Sequence, residues 1–300
     1  MRIFITGGSG FIGSHLIPHL LAHGHHVELL TRHPLKAYQK LGHQITTHQQ
    51  LNDFSDFNGF DAIINLAGEP IANGRWSERK KRRICQSRWK ITEHLCELIM
   101  ASRYPPEVFL SGSAIGYYGD HHTQFIYEDT MAKADDFAYQ VCFQWEQIAL
   151  RASNHTRVCL LRTGLVLGRD GGLMKQLVKP FKCGLGGPIG SGEHYQSWIH
   201  IHDMVHAIEY LLTHKTCQGP FNLTAPKPVT NTQLSQSLAS HLHRPAFMRV
   251  PQFVIQLALG ELSEMVLASQ RVVPQRLQQA GFTFMFKELD EALTELFQHH

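Results

Sequence analysis

Arg2-Ile3-Phe4-Ile5-Thr6 runs straight into Gly7-Gly8-Ser9-Gly10-Phe11-Ile12-Gly13, an apolar run meeting glycines spaced Gly-x-x-Gly-x-x-Gly. The run reads as a strand and the glycines as a tight turn. The apolar spacing that follows, through Leu16, Leu20 and Leu21, reads as a helix over 10–22. Strand, glycine turn and helix in that order form the entry to a dinucleotide-binding α/β fold. Gly7 lets the chain turn, Gly10 lets the backbone approach a pyrophosphate, and Gly13 lets the helix lie close to the sheet. Phe11 and Ile12 open a helix whose N–H groups and positive dipole end point at the phosphates. Gly7, Gly10, Phe11, Ile12 and Gly13 are therefore the first cofactor-binding candidates.

Working outward, Pro18 lies inside the first helix and predicts a kink. A second strand over 27–31 ends at Thr31-Arg32, and a weaker strand follows near 45–47. Asp61-Ala62-Ile63-Ile64-Asn65-Leu66 is the near-continuous apolar run of a buried parallel strand. A long helix over 77–103 stops at Pro105-Pro106, and a fifth strand over 107–111 leads into Gly112-Ser113-Ala114. A helix over 135–152 and a sixth strand over 157–162 complete the alternation. After Gly168, repeated glycines predict a loop-rich cover, carrying Lys175, Lys179 and Lys182. The chain returns to the sheet near 221–223 and ends in helices near 231–242, 251–268, 274–280 and 287–297. Asp203 reads as the N-cap of a helix through Tyr210. The fold class is α/β: a doubly wound parallel Rossmann sheet over 1–170, completed by about 198–225. Residues 171–300 are expected to form mainly a smaller C-terminal substrate lobe, interleaved with the core.

Cofactor choice is read where the second strand ends. An NAD-preferring fold places a carboxylate there for the ribose hydroxyls. Thr31-Arg32 lacks the carboxylate and supplies a cation, so a 2′-phosphate finds a partner and NADP(H) is the expected cofactor. Leu66-Ala67, in Asn65-Leu66-Ala67-Gly68, lets the backbone run against the adenosine half of the cofactor.

Composition narrows the partners. A net charge of +3 on 300 residues gives no footprint for nucleic acid, and Arg79-Lys80-Lys81-Arg82-Arg83 reads as a solvated helix face. Six cysteines stand singly among apolar neighbours, as reduced core thiols of a cytoplasmic protein do. The first apolar run is a strand rather than a signal peptide, and no stretch is long enough to cross a bilayer. The 21 histidines read as scattered titratable surface, with no metal site expected. A small-molecule substrate is expected as partner, no nucleic acid and no membrane, and a homodimer is left open.

Five strings together resemble a known family: Gly7-x-x-Gly10-x-x-Gly13, Asn65-Leu66-Ala67-Gly68, Ser111-Gly112-Ser113-Ala114, Leu161-Arg162-Thr163-Gly164 and Trp198-Ile199-His200-Ile201-His202-Asp203. They look like the extended branch of the short-chain dehydrogenase/reductase superfamily, which includes sugar-nucleotide epimerases. Longer strings at 65–70, 76–88, 184–192 and 219–222 resemble an atypical epimerase-like subfamily, labelled cell-division-inhibitor-like in bacteria, with a human relative that binds NADP. The resemblance runs end to end. It implies a cleft between Rossmann core and C-terminal lobe, with Arg88, and more weakly Arg83, near the cofactor and Val166 at the nicotinamide end.

The same resemblance exposes a departure. Reductases and epimerases of this superfamily use a Ser or Thr with a later Tyr-x-x-x-Lys, whose Lys lowers the Tyr pKa for proton exchange. Ser113 holds the serine position, but Ala138 and Cys142 stand at the tyrosine and lysine positions, and the offset pair is Tyr139 and Phe143. Ser113, Tyr117 and Tyr118, all at the end of the fifth strand, are the catalytic candidates left. The expected function is an NADP(H)-binding, epimerase-like oxidoreductase for a small polar carbonyl or sugar-nucleotide substrate. The alternative is a non-catalytic NADP(H)-sensing protein.

Overall fold

The structure, a computed structural model, describes residues 1–297 except 73, 134, 170, 173 and 247. Seven strands form one parallel sheet: β1 (Arg2–Thr6), β2 (His26–Leu30), β3 (Thr46–His48), β4 (Ala62–Asn65), β5 (Val108–Ala114), β6 (Arg157–Thr163) and β7 (Gly219–Leu223). Their order is β3-β2-β1-β4-β5-β6-β7, so the winding reverses between β1 and β4. In such sheets ligands bind beyond the carboxyl ends of the strands at that reversal.

Alternation along each strand sorts the core. Ile3 and Ile5 of β1, Ala62 and Ile64 of β4, and Val108 and Leu110 of β5 point to one face. That face is covered by α1 (Phe11–Ala22), α2 (Pro34–Leu41) and, later in the chain, the helix Ile201–Thr213. Phe4, Ile63 and Phe109 point to the other face, against α3 (Glu78–Ala101) and α4 (Phe137–Leu150). Ser77 caps α3 by accepting from the Lys80 N–H, and Asp136 caps α4 by accepting from the Tyr139 N–H.

The C-terminal third departs from expectation in three places. The lysine segment is a helix, α5 (Met174–Lys182), with Met174 and Phe181 buried and Lys175, Lys179 and Lys182 exposed. The following helix, α6 (Ile201–Thr213), is capped by His200, whose ring accepts from the His202 N–H. Asp203 is instead buried and accepts from the backbone N–H groups of Met285 and Phe286, each at 2.9 Å. The last helices are α7 (Asn231–His241), α8 (Gln252–Leu259), α9 (Leu262–Leu267), α10 (Gln275–Gln279) and α11 (Leu289–Phe297). One helix expected over 251–268 is broken into α8 and α9 by Gly260, whose φ of +60° a right-handed helix cannot hold. A separate apolar cluster joins α5, α7 and α11. Among the described residues no helix is long and apolar enough to cross a membrane.

Five imidazoles set an acid response. Burial holds His25, His121, His194, His200 and His202 below the ordinary histidine range. A folded-state pKa below the unfolded one means that the unfolded chain binds more protons. Stability present above about pH 6.5 is therefore lost as pH falls toward the lower folded values. Burial raises the Glu128 carboxyl, which acts in the opposite direction, one group against five. The thermal midpoint is expected to be lower at about pH 5.5 than at about pH 7.5. Equal midpoints in scans at the two pH values would contradict this.

Candidate functional site

The glycine turn closes on the end of β4. Gly7 has φ +73°, and a Cβ there would lie 2.4 Å from the Leu66 carbonyl carbon, so only glycine fits. A Cβ on Gly13 would lie 2.4 Å from Gly8 Cα, which brings α1 down onto the turn. Gly10 differs: its φ is −72°, and a Cβ would meet only the Gly7 carbonyl oxygen, at 3.0 Å. The space before Gly10 is open. Among the described residues no side chain caps α1, and no acid lies in its first turn, so its first N–H groups face that space. A cleft of about 410 Å³ lies there, lined by Ser9, Gly10, Phe11, Ser14 and Lys40 among others. Gly168, Gly171 and Gly172 lie against the Phe11 ring, and a Cβ on Gly171 would lie 2.4 Å from it. Ile12 is half-buried beside this ring. A larger hollow of about 870 Å³ sits at the amino ends of β5, β6 and β7, on the opposite edge of the sheet from the glycine turn.

Lys40 stands at the cleft, and other cations lie near the carboxyl ends of β2 and β4. Arg32 is exposed just past β2, next to the buried Thr31, and has no ion-pair partner among the described residues. Lys40, on α2, donates to the Ser9 carbonyl at 2.9 Å, at the lip of the glycine turn. Leu66 and Ala67 leave β4 under Gly7, and the Ala67 N–H reaches Asn65 Oδ1 at 3.4 Å. Arg88 lies beneath Gly68 and donates to the carbonyls of Glu69 and Ile84 at 3.1 and 3.2 Å. Among the described residues no carboxylate pairs with it, and burial lowers its pKa. Arg83 shares the Glu69 carboxylate with Lys80, whose hydrogen bond is the main reason the carboxyl is held below its usual range. Val166 is buried in the short strand Leu165–Leu167, beyond β6.

The end of β5 carries a buried polar network. Ser113 donates to Glu146 Oε1 at 2.6 Å, and Glu146 receives two further bonds from Arg162, Nε and Nη2, each at 2.8 Å. Burial opposes the Arg162 charge, but the hydrogen-bonded Glu146 outweighs it and holds the guanidinium above its usual range. Arg162 lies 3.7 Å from the centroid of the half-buried Tyr117 ring. Tyr118 corrects the reading that groups it with Ser113 and Tyr117. It is fully buried, donates to Asn222 Oδ1 at 2.6 Å and accepts from Arg162 Nη1 at 2.9 Å. Burial also pushes its phenol above the ordinary range. Its hydroxyl is part of the scaffold.

Ala138 and Cys142 are buried against Gly116, where an added Cβ would lie 3.3 Å from Ala138 Cβ and 3.9 Å from Cys142 Sγ. Burial pushes the Cys142 thiol up to about 12, so it stays a neutral, unreactive group. The Tyr139 ring centroid lies 5.8 Å from that of Tyr117.

Residues 3–224 match the NAD dependent epimerase/dehydratase family. The chain belongs to that family. Residues 250–296 match a domain of unknown function, DUF1731. An Arabidopsis thaliana protein described as "Epimerase family protein SDR39U1 homolog, chloroplastic" is 37% identical, covering 99% of this chain and 87% of that protein. The Mus musculus epimerase family protein SDR39U1 is 36% identical over 99% of each chain. The crystal structure of human epimerase family protein SDR39U1 with NADPH matches with a TM-score of 0.91 at 34% identity, over the whole of both chains.

Two residues of this epimerase-family chain escape a reading of the sequence. Glu146 follows Ala138 and Cys142 at the same four-residue spacing, one turn beyond the missing lysine, and an acid on that apolar helix face was the available signal. Lys40 left no local signal, because only the packing of α2 beside α1 brings it to Ser9.

Proposed function

We propose that the chain binds NADP(H) in the glycine cradle and uses it to oxidise, reduce or epimerise a small polar carbonyl or sugar-nucleotide substrate. The observation that carries the binding is the open space at Gly10 before the start of α1, with Lys40 at its rim; Arg32 stands just past the carboxyl end of β2, the strand beside β1. The NADPH in the human SDR39U1 structure supports the same cofactor. When bound, that cofactor supplies hydride exchange at its nicotinamide ring. The α1 N–H groups hold pyrophosphate, and Arg32 and Lys40 pair with the 2′-phosphate. Arg88 offers an unpaired charge beneath Gly68 to an anionic or carbonyl group of the ligands. Ser113, oriented by Glu146, and Tyr117 exchange the proton at the substrate oxygen. A second reading, an NADP(H) sensor without chemistry, draws on Ala138 and Cys142 filling the places of the usual proton relay.

Cofactor preference tests the binding half. A charge-assisted pair contributes about 1.5–3 kcal/mol, so NADPH is expected to bind about ten- to a hundredfold more tightly than NADH. Fluorescence titration of both cofactors measures it, and Arg32→Ala and Lys40→Ala should each erode the difference. Equal affinities in the parent protein would overturn the assignment of the rim.

A further inference from the structure

The far end of α1 gathers histidines. His15, His19 and His23 stand one turn apart on or just past α1, and His202 and His206 stand one turn apart on α6, followed by Glu209. The two helices pack together and bring these side chains face to face. Glu209 Oε2 lies 2.6 Å from His19 Nε2, and Oε1 lies 3.7 Å from His23 Nδ1. The His19 ring centroid is 4.3 Å from that of His23 and 4.6 Å from that of His206. One ligand atom from each of His19, His23 and Glu209 falls within 4.8 Å of the other two.

We propose that His19, His23 and Glu209, with His206 as fourth donor, bind a divalent cation of the zinc type that fastens α1 to α6. Two or three imidazoles with one carboxylate form a nitrogen-rich donor set that suits zinc rather than magnesium or calcium. Bonds of about 2.0–2.1 Å in a tetrahedral site put donors about 3.3 Å apart. The observed 2.6 and 3.7 Å lie on either side of that spacing, so shifts of under about 1 Å suffice for these two pairs, and His206, whose ring lies 4.6 Å from that of His19, closes in as the fourth donor when the cation binds. The side chains have that freedom: His23 is 53% exposed and Glu209 20%. His206 is already oriented, because its Nδ1 bonds the His202 carbonyl at 2.8 Å. A carbonyl only accepts, so Nδ1 carries the proton and Nε2 keeps the lone pair a metal needs. His23 bonds the His19 carbonyl through Nδ1 at 2.8 Å, and coordination through that nitrogen gives up one exposed hydrogen bond. The site lies away from the glycine cradle, so the cation is structural: it ties the helix that begins at the phosphate turn to the helix that follows His200.

The test uses the full chain without a histidine tag, in a Cys183→Ser background that removes the exposed thiol. EDTA-stripped protein is titrated with zinc chloride by calorimetry. About one equivalent should bind with a dissociation constant of about 10 µM or below. His23→Gln and Glu209→Gln should each weaken binding at least about tenfold, and zinc should raise the thermal midpoint of the parent but not of the double variant. Circular dichroism checks folding; should Glu209→Gln disturb it, His23→Gln at the exposed helix end decides alone. No heat at about 100 µM zinc, or binding that the variants leave unchanged, overturns the site.

Discussion

Gly10→Val is expected to give a folded protein that no longer binds NADPH. Its φ of −72° is open to any L-residue, and a Cβ there meets only the Gly7 carbonyl oxygen at 3.0 Å. Folding should lose only about 1 kcal/mol, chiefly because valine is a poorer helix N-cap than glycine. The isopropyl group then fills the cleft before the first N–H groups of α1, where the pyrophosphate must approach. Thermal shift shows this directly. At about a hundred times Kd, NADPH should stabilise the parent by about 2.7 kcal/mol and the variant not at all. Gly13→Val serves as contrast. Its Cβ would lie 2.4 Å from Gly8 Cα, against backbone that has nowhere to go, so that variant should fail to fold. A ligand-induced shift retained by Gly10→Val would mean that this loop holds no phosphate.

The two substitutions also show why the cradle was legible in sequence. Glycine is demanded at Gly7 and Gly13 by backbone contact and at Gly10 by open space, and all three demands leave the same letter. The strands were legible for a similar reason. Ile3, Phe4 and Ile5 alternate between two covered faces, so β1 appears as an uninterrupted apolar run. What stayed hidden depended on contacts distant in the chain. Asp203 reads as a cap locally, yet Met285 and Phe286, some eighty residues on, claim both its oxygens. Glycines flanking 174–182 masked a helix whose buried Met174 and Phe181 dock on the C-terminal cluster. The histidines read as scattered surface, although His15, His19 and His23 keep a one-turn spacing; their gathering needs the partner helix α6. Tyr117 and Tyr118 are neighbours in sequence with opposite fates, because a short helical turn puts one ring over Arg162 and the other hydroxyl beneath it.

That separation sets the expectation for turnover. Ser113→Ala and Tyr117→Phe should each keep NADPH affinity and lose about two to four decades in rate on a carbonyl or sugar-nucleotide substrate found by screening. Ser113 sends its proton to Glu146, which leaves the oxygen lone pairs as acceptors for a substrate hydroxyl. Among the described residues the Tyr117 phenol has no hydrogen-bond partner, while Arg162 lies under its ring. Tyr118→Phe acts differently. It removes the donor to Asn222 and an acceptor of Arg162, so it should lower the thermal midpoint in proportion to any lost rate. Glu146→Gln breaks a buried ion pair and should cost about 3–5 kcal/mol of stability, which separates scaffold damage from proton chemistry. Restoring the usual relay through Ala138→Tyr and Cys142→Lys is expected to destabilise the protein, since Gly116 packs directly on both positions. Cofactor affinity and thermal midpoint are measured beside every rate. Full turnover in both Ser113→Ala and Tyr117→Phe removes them from the mechanism. A protein that binds NADPH well, yet neither oxidises it nor epimerises any substrate in a broad screen, would instead be a sensor, with the Ser113–Glu146–Arg162 network serving to hold β5 to β6.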